Sequence, residues 1–103
     1  MVKEIYWSNL AKIQLTNILK YYHYKAGNKY ANQLLDKIIH ATTLLQANPR
    51  LGFTEPSLKK YAKNYRSLIE GYYKIIYTEE IEAIRIVTIF DCWQNPEKLK
   101  DFL

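Results

Sequence analysis

The chain has 103 residues, a formal net charge of +5, 49% hydrophobic residues and 24% charged residues. That length suits one compact domain, expected over residues 1–103, and the composition excludes an intrinsically disordered chain. No run approaches the roughly 18 apolar residues of a spanning helix, and no apolar segment follows Lys3 and Glu4 as it would in a secretory signal. The single cysteine, Cys92, has no internal partner for a disulfide, so a reducing, cytoplasmic setting is expected.

In chain order, Lys3 to Trp7 is a short apolar-aromatic run that reads as an opening strand. Ser8 follows as a helix N-cap, its hydroxyl placed to accept a first-turn amide. Leu10, Ile13, Ile18, Leu19 and Tyr22 recur near helical spacing, and Gly27 ends that helix. A second helix is expected from about Asn28, also read as a cap, with Ala31, Leu34, Leu35, Ile38, Ala41, Thr42 and Leu45 on one stripe. It stops at Asn48-Pro49, because proline disfavours helical geometry in the residue before it. The short connection predicts an antiparallel helical hairpin.

Residues 50–64 contain Gly52, Pro56 and Ser57 with three lysines and read as a loop holding a helical turn at most. Strands are expected at 65–70, 72–78 and 83–90, with Glu79-Glu80 in the turn between the last two. Residues 84–90 are apolar on both parities apart from Arg85 and Thr88, the pattern of a strand covered on both faces. Pro96 suits the start of a last short helix. The order β-α-α-β-β-β predicts an α+β domain: an antiparallel sheet with the N-terminal helical hairpin packed on one face.

Charge is unevenly spread. Between residues 59 and 74, Lys59, Lys60, Lys63, Arg66 and Lys74 face one acid, Glu70, so this segment holds +4 of the net +5. Such clustering favours anionic partners, although the three lysines also fit a solvated connector. A two-residue turn at Glu70-Gly71 puts Arg66 and Lys74 on opposite faces, whereas a three-residue turn through Tyr72 puts them diagonally on one face. Spacing leaves both open. A phosphate-binding cradle requires the second, with both cations on the side away from the helices. His23 and His40 lack ligand companions and read as structural, so no metal site is expected. Cys92 reads as a small apolar residue, and Glu79, Glu80 and Glu82 as a solvated turn. Tyr21, Tyr22 and Tyr24 read as part core and part aromatic patch for a partner.

Trp7-Ser8 at the first helix, the Tyr65-Arg66-Ser67-Leu68 strand, Tyr73-Lys74-Ile75-Ile76-Tyr77 and the run from Phe90 to Leu99 (FDCWQNPEKL), in that order, resemble the RelE/ParE family of bacterial toxins. The resemblance spans essentially the whole chain. It implies the toxic half of a type II toxin–antitoxin module, a cognate antitoxin as partner, and neither a small-molecule cofactor nor a membrane partner. The target it implies is either the ribosome with its mRNA or DNA gyrase. RelE-like members cleave mRNA in the ribosomal A site without a metal. By motif position the resemblance makes Arg66 and Lys74 the catalytic cations, Arg66 as a donor fork on phosphate and Lys74 as a point charge. Lys59, Lys60, Lys63 and Trp93 would then contact nucleic acid. ParE-like members instead poison DNA gyrase with no cleavage chemistry of their own.

Trp93 stands where relatives often carry arginine. It can stack on a base, for about 1–3 kcal/mol, but supplies no charge, and residues 91–103 hold no histidine or tyrosine to serve as an acid. This departure weakens the nuclease expectation and strengthens the gyrase one. The alternative to both is a non-catalytic module that acts only in a DNA-binding, autoregulatory complex.

Overall fold

In a computed structural model that describes residues 2–91, strand β1 (Glu4–Trp7) runs directly into helix α1 (Asn9–Ala26). Ser8 joins them. Its Oγ accepts from Ala11 N at 3.0 Å, as a cap should, and donates to Val87 O at 2.7 Å, tying the start of the helix to the sheet. Gly27 then turns the chain at a φ of 89°, a conformation costly to side-chain-bearing residues, into helix α2 (Asn28–Ala47). Gly27 rather than Asn28 occupies the cap position, and Asn28 Oδ1 instead lies 2.6 Å from His23 Nδ1. Asn48 ends α2, as Pro49 requires.

The buried stripe of α2 holds Ala31, Ile38, Ala41, Thr42 and Leu45, as its periodicity predicts. That of α1 is displaced from the expected one: Ala11 is buried, Leu15 and Ile18 pack beside it, and Ile13 is 59% exposed. The first helix approaches the sheet closely at Ala11, where a small side chain lets it do so, and a hydrophobicity count overlooks that position.

The remaining strands are β2 (Phe53–Thr54), β3 (Arg66–Glu70), β4 (Tyr73–Glu79) and β5 (Ala83–Asp91), in the sheet order β1-β5-β4-β3-β2. Strands β3 to β5 form the expected antiparallel array and β2 extends it beside β3, while β1 joins it in parallel and not antiparallel, Glu4 opposite Ala83 and Trp7 opposite Ile86. The helical hairpin, not a tight turn, carries the chain away from β1, so nothing forces that pair to be antiparallel. Strand β2 lies inside the segment read as a loop. Two residues are too few to show a period, and only their pairing with Ser67 and Arg66 makes them a strand. A single 3₁₀ turn, Pro56–Leu58, follows.

Two apolar clusters sandwich the sheet. On the helix side lie Ile38, Leu45, Ile75, Tyr77, Ile84, Ile86 and Ile89. Leu58, Ile76, Val87 and Phe90 form a second cluster, with Tyr61 and Tyr65 against it. The face away from the helices is therefore not bare, as a cradle there would need, but covered by the segment that follows β2. A bulge between Ile76 and Tyr77 leaves Val87 without a partner on β4, which lets both Ile86 and Ile89 reach the helix-side core. Beyond Trp7 the edge of β5 is finished by a side chain: Gln14 Oε1 accepts from Ile89 N at 2.9 Å and Thr88 Oγ1 at 2.7 Å. Among the described residues no helix is long and apolar enough to cross a membrane. Cys92, Trp93 and the helix expected at Pro96 lie outside the described residues.

Candidate functional site

The β3–β4 register decides where the two cations point. Glu70 pairs with Tyr73, Ile69 with Lys74 and Arg66 with Tyr77. The turn is thus two residues, Gly71-Tyr72, one position later than the two-residue turn considered from sequence. Gly71 has a φ of 59° and no other residue type among those described has a positive φ, the pattern of a type II′ hairpin. Paired residues share a face and alternate along each strand. Lys74 therefore lies with Ser67 and Ile69, and Arg66 with Leu68 and Tyr77. Of the two arrangements left open by spacing, the one a cradle requires does not form: the cations occupy opposite sides of the sheet.

Lys74 is held within the fold. Its Nζ lies 2.8 Å from Glu55 Oε1 and 5.8 Å from the centre of the Phe53 ring, and its side chain is 18% exposed. Glu55, 2% exposed, also accepts from Ser67 Oγ at 2.8 Å, Ser57 Oγ at 2.8 Å and Ser57 N at 3.2 Å. Burial alone would push this carboxyl up. The hydrogen bonds from Lys74, Ser67 and Ser57 override it and lower the pKa from 4.5 to about 2. Glu55 was not singled out by sequence. The available signal was its place before Pro56-Ser57, where it caps the 3₁₀ turn.

Arg66 belongs to a different assembly. Its Nη1 donates to Gly52 O at 2.7 Å, Gly52 N donates to the Tyr77 hydroxyl at 2.9 Å, and that hydroxyl donates to Pro49 O at 2.8 Å. A Cβ on Gly52 would stand 2.5 Å from Ser67 O and 2.7 Å from the Tyr77 hydroxyl, so only glycine fits there. Beside this clamp, Arg66 lines a cavity of about 380 Å³ with Arg50, Lys63, Asn64 and Thr78. The structure thus brings Arg66 and Lys63 together, and leaves Lys59 and Lys60 exposed and outside that lining. Lys60 Nζ sits 5.6 Å from the Tyr61 ring centre. Trp93 lies outside the described residues.

The first-helix tyrosines build a groove of about 490 Å³ between α1 and the ends of β4 and β5, lined by Gln14, Asn17, Tyr21, Tyr22, Tyr73 and Asp91. Tyr22 is its hub. It meets Tyr21 edge-on at 5.0 Å, tilts against Tyr30 at 5.2 Å and accepts from the Tyr73 hydroxyl at 3.3 Å. Burial, then the contact with Tyr22, pushes the Tyr73 hydroxyl pKa up, so it stays a protonated donor. Past Tyr22 and Tyr73 the groove continues toward Tyr30, Lys37 and Tyr72. Tyr21, Tyr24, Tyr30 and Tyr72 are all exposed, and the two helices carry five lysines against one acid, Asp36. Neither histidine enters the groove lining: His23 contacts Asn28 and His40 is exposed on α2.

The sequence model described as ParE toxin of type II toxin-antitoxin system, parDE, matches residues 5–96. A solved structure described as the chromosomal ParDE TA system from P. aeruginosa is similar at a TM-score of 0.72 and 20% identity, over 87% of this chain and 96% of that one. No curated protein matches the sequence.

Proposed function

The chain belongs to the ParE toxin family of type II toxin–antitoxin systems, and from that premise we propose that it arrests growth by acting on DNA gyrase and is neutralised by a cognate antitoxin. The observation that carries the choice of target is the separation of Arg66 from Lys74. Metal-free RNA cleavage needs donors that converge where negative charge develops, each worth about 3–4 kcal/mol in the transition state. Cations on opposite sides of a sheet do not converge on one phosphorus, and Lys74 is already neutralised by Glu55. A gyrase-directed toxin needs no such pair, only a surface.

The antitoxin is assigned to the tyrosine groove. Its aromatic lining offers area at low conformational cost, and the lysine excess of α1 and α2 favours an acidic segment.

Purified protein added to a gyrase supercoiling reaction tests the target. Accumulation of cleaved DNA, relieved by the antitoxin, is expected, together with unchanged primer-extension patterns on translated mRNA after induction. New mRNA 5′ ends with an unaffected gyrase reaction would reverse the choice. They would return Arg66 and Lys74 to consideration as catalytic groups, with Lys59, Lys60, Lys63 and Trp93 as contacts to the message.

A further inference from the structure

Folding sorts the unpaired positive charge onto the helices. Lys12, Lys20, Lys25, Lys29 and Lys37 lie on α1 and α2 against a single acid, Asp36, a surplus of +4. Residues 59–74 hold an equal surplus by sequence, but in the fold Lys63 faces Glu80 and Lys74 faces Glu55. No helix lysine forms an ion pair among the described residues; the pairs that form use Lys3, Arg50, Lys63 and Lys74.

Helix α1 contains no acid at all. Lys20 follows the buried Ala11 by about two and a half turns and so points away from the sheet. Lys12, Thr16, Lys20 and Tyr24 recur every fourth residue as one ridge, all of them exposed. That ridge is about 18 Å long, roughly half a turn of a DNA duplex. Thr16 Oγ1 turns back onto Lys12 O at 2.9 Å, so two ammonium groups and a phenol are what protrude. Tyr24 is 85% exposed, with Lys25 Nζ 5.7 Å from its ring centre, and it contributes nothing to the core. None of the α1 lysines lines the tyrosine groove, which takes only Lys37 from this set, at its far end. The ridge and the groove are separate surfaces.

We propose that the ridge of α1 binds the phosphate backbone of duplex DNA without regard to sequence. Lysine ammonium groups meet phosphates as point charges, and the phenol of Tyr24 donates to a phosphate oxygen beside them. Contacts of this kind hold a protein on the duplex and carry no sequence information. A stiff duplex lying along a stiff helix loses little freedom on contact, whereas a flexible acidic peptide on an open ridge loses much. The surface is read from charge and exposure alone and does not depend on the choice of gyrase as target.

The test is fluorescence anisotropy of a short labelled duplex of arbitrary sequence with the full chain, in sodium chloride from about 50 to 200 mM. The logarithm of affinity is expected to fall against that of salt with a slope of about −2 to −3, two or three phosphates at about −0.9 each. Lys12→Gln combined with Lys20→Gln should weaken binding about tenfold or more at the lowest salt and flatten the slope by about 2. Tyr24→Ala should weaken it about threefold at unchanged slope. These side chains are exposed, so circular dichroism should show the fold intact. Lys59→Gln combined with Lys60→Gln removes the same charge away from the ridge. An equal loss there, or no saturable binding at the lowest salt, would overturn the proposal. So would displacement of the duplex by polyglutamate at a lower charge concentration than unlabelled duplex requires, which would assign the ridge to an acidic polypeptide. No gyrase is present, so this result and that of the supercoiling reaction stand apart.

Discussion

Replacing Lys74 with methionine removes the charge that compensates a buried carboxylate. The Glu55 pKa falls from 4.5 to about 2 on folding. At about 1.4 kcal/mol per unit, the folded state favours ionised Glu55 by about 3 kcal/mol, shared among Lys74, Ser67 and Ser57. Removing one partner of a buried pair costs about 3–5 kcal/mol when nothing else satisfies the other. Here the serine hydrogen bonds remain and the Lys74 side chain is 18% exposed, so Lys74→Met is expected to cost about 2–3 kcal/mol. Glu55→Gln should cost less, about 1–2 kcal/mol, because the freed ammonium can turn toward water. Combining the two should recover about 1 kcal/mol or more relative to Lys74→Met, since no buried charge is then left unpaired. Urea unfolding followed by circular dichroism measures all three. The folded pKa lies below the unfolded one, so this stabilisation is complete above pH of about 4.5 and is lost as pH falls toward about 2. The wild type should therefore lose at most about 3 kcal/mol more than Glu55→Gln between those limits. A Lys74→Met cost under about 1 kcal/mol, or a double variant no more stable than Lys74→Met, would refute the assignment of Lys74 to the fold. The functional corollary is sharper. The double variant should arrest growth as the parent does, and a stable but harmless double variant would mean that Lys74 meets the target directly.

Tyr77→Phe strips a hydrogen bond from both Gly52 N and Pro49 O; a loss of about 1–3 kcal/mol is expected, with faster amide hydrogen exchange at Gly52. Gly52→Ala forces a methyl group to within 2.5 Å of a backbone oxygen, and its melting temperature should fall further than that of Tyr77→Phe. Tyr21→Ala, at an exposed wall of the groove, should weaken antitoxin binding about tenfold by calorimetry, with gyrase poisoning unchanged.

What the sequence made legible follows from the range of the interactions involved. Ser8, Gly27 and Pro49 act on their immediate neighbours, so the limits of both helices could be read to within a residue. The α2 stripe and the double-sided character of β5 were visible because periodicity records burial directly. Register was not legible. The position of the hairpin turn rests on one glycine in a left-handed conformation, and moving that turn by a residue decides which side chains share a face. The surroundings of the cations were illegible for a second reason. Lys74 reads as an available cation until Glu55, nineteen positions earlier and unremarkable in isolation, is folded against it. Arg66 and Lys63 were picked for their charge.

The parallel pairing of β1 with β5 sets the timing of assembly. Glu4 pairs with Ala83, and Ser8 ties the first helix to Ile86 and Val87, so the chain must be synthesised past residue 87 before β1 can dock. Contacts this distant in sequence form slowly and late. The hairpin of β3 and β4 closes over a few residues, whereas the β1–β5 edge waits for a partner about eighty positions away.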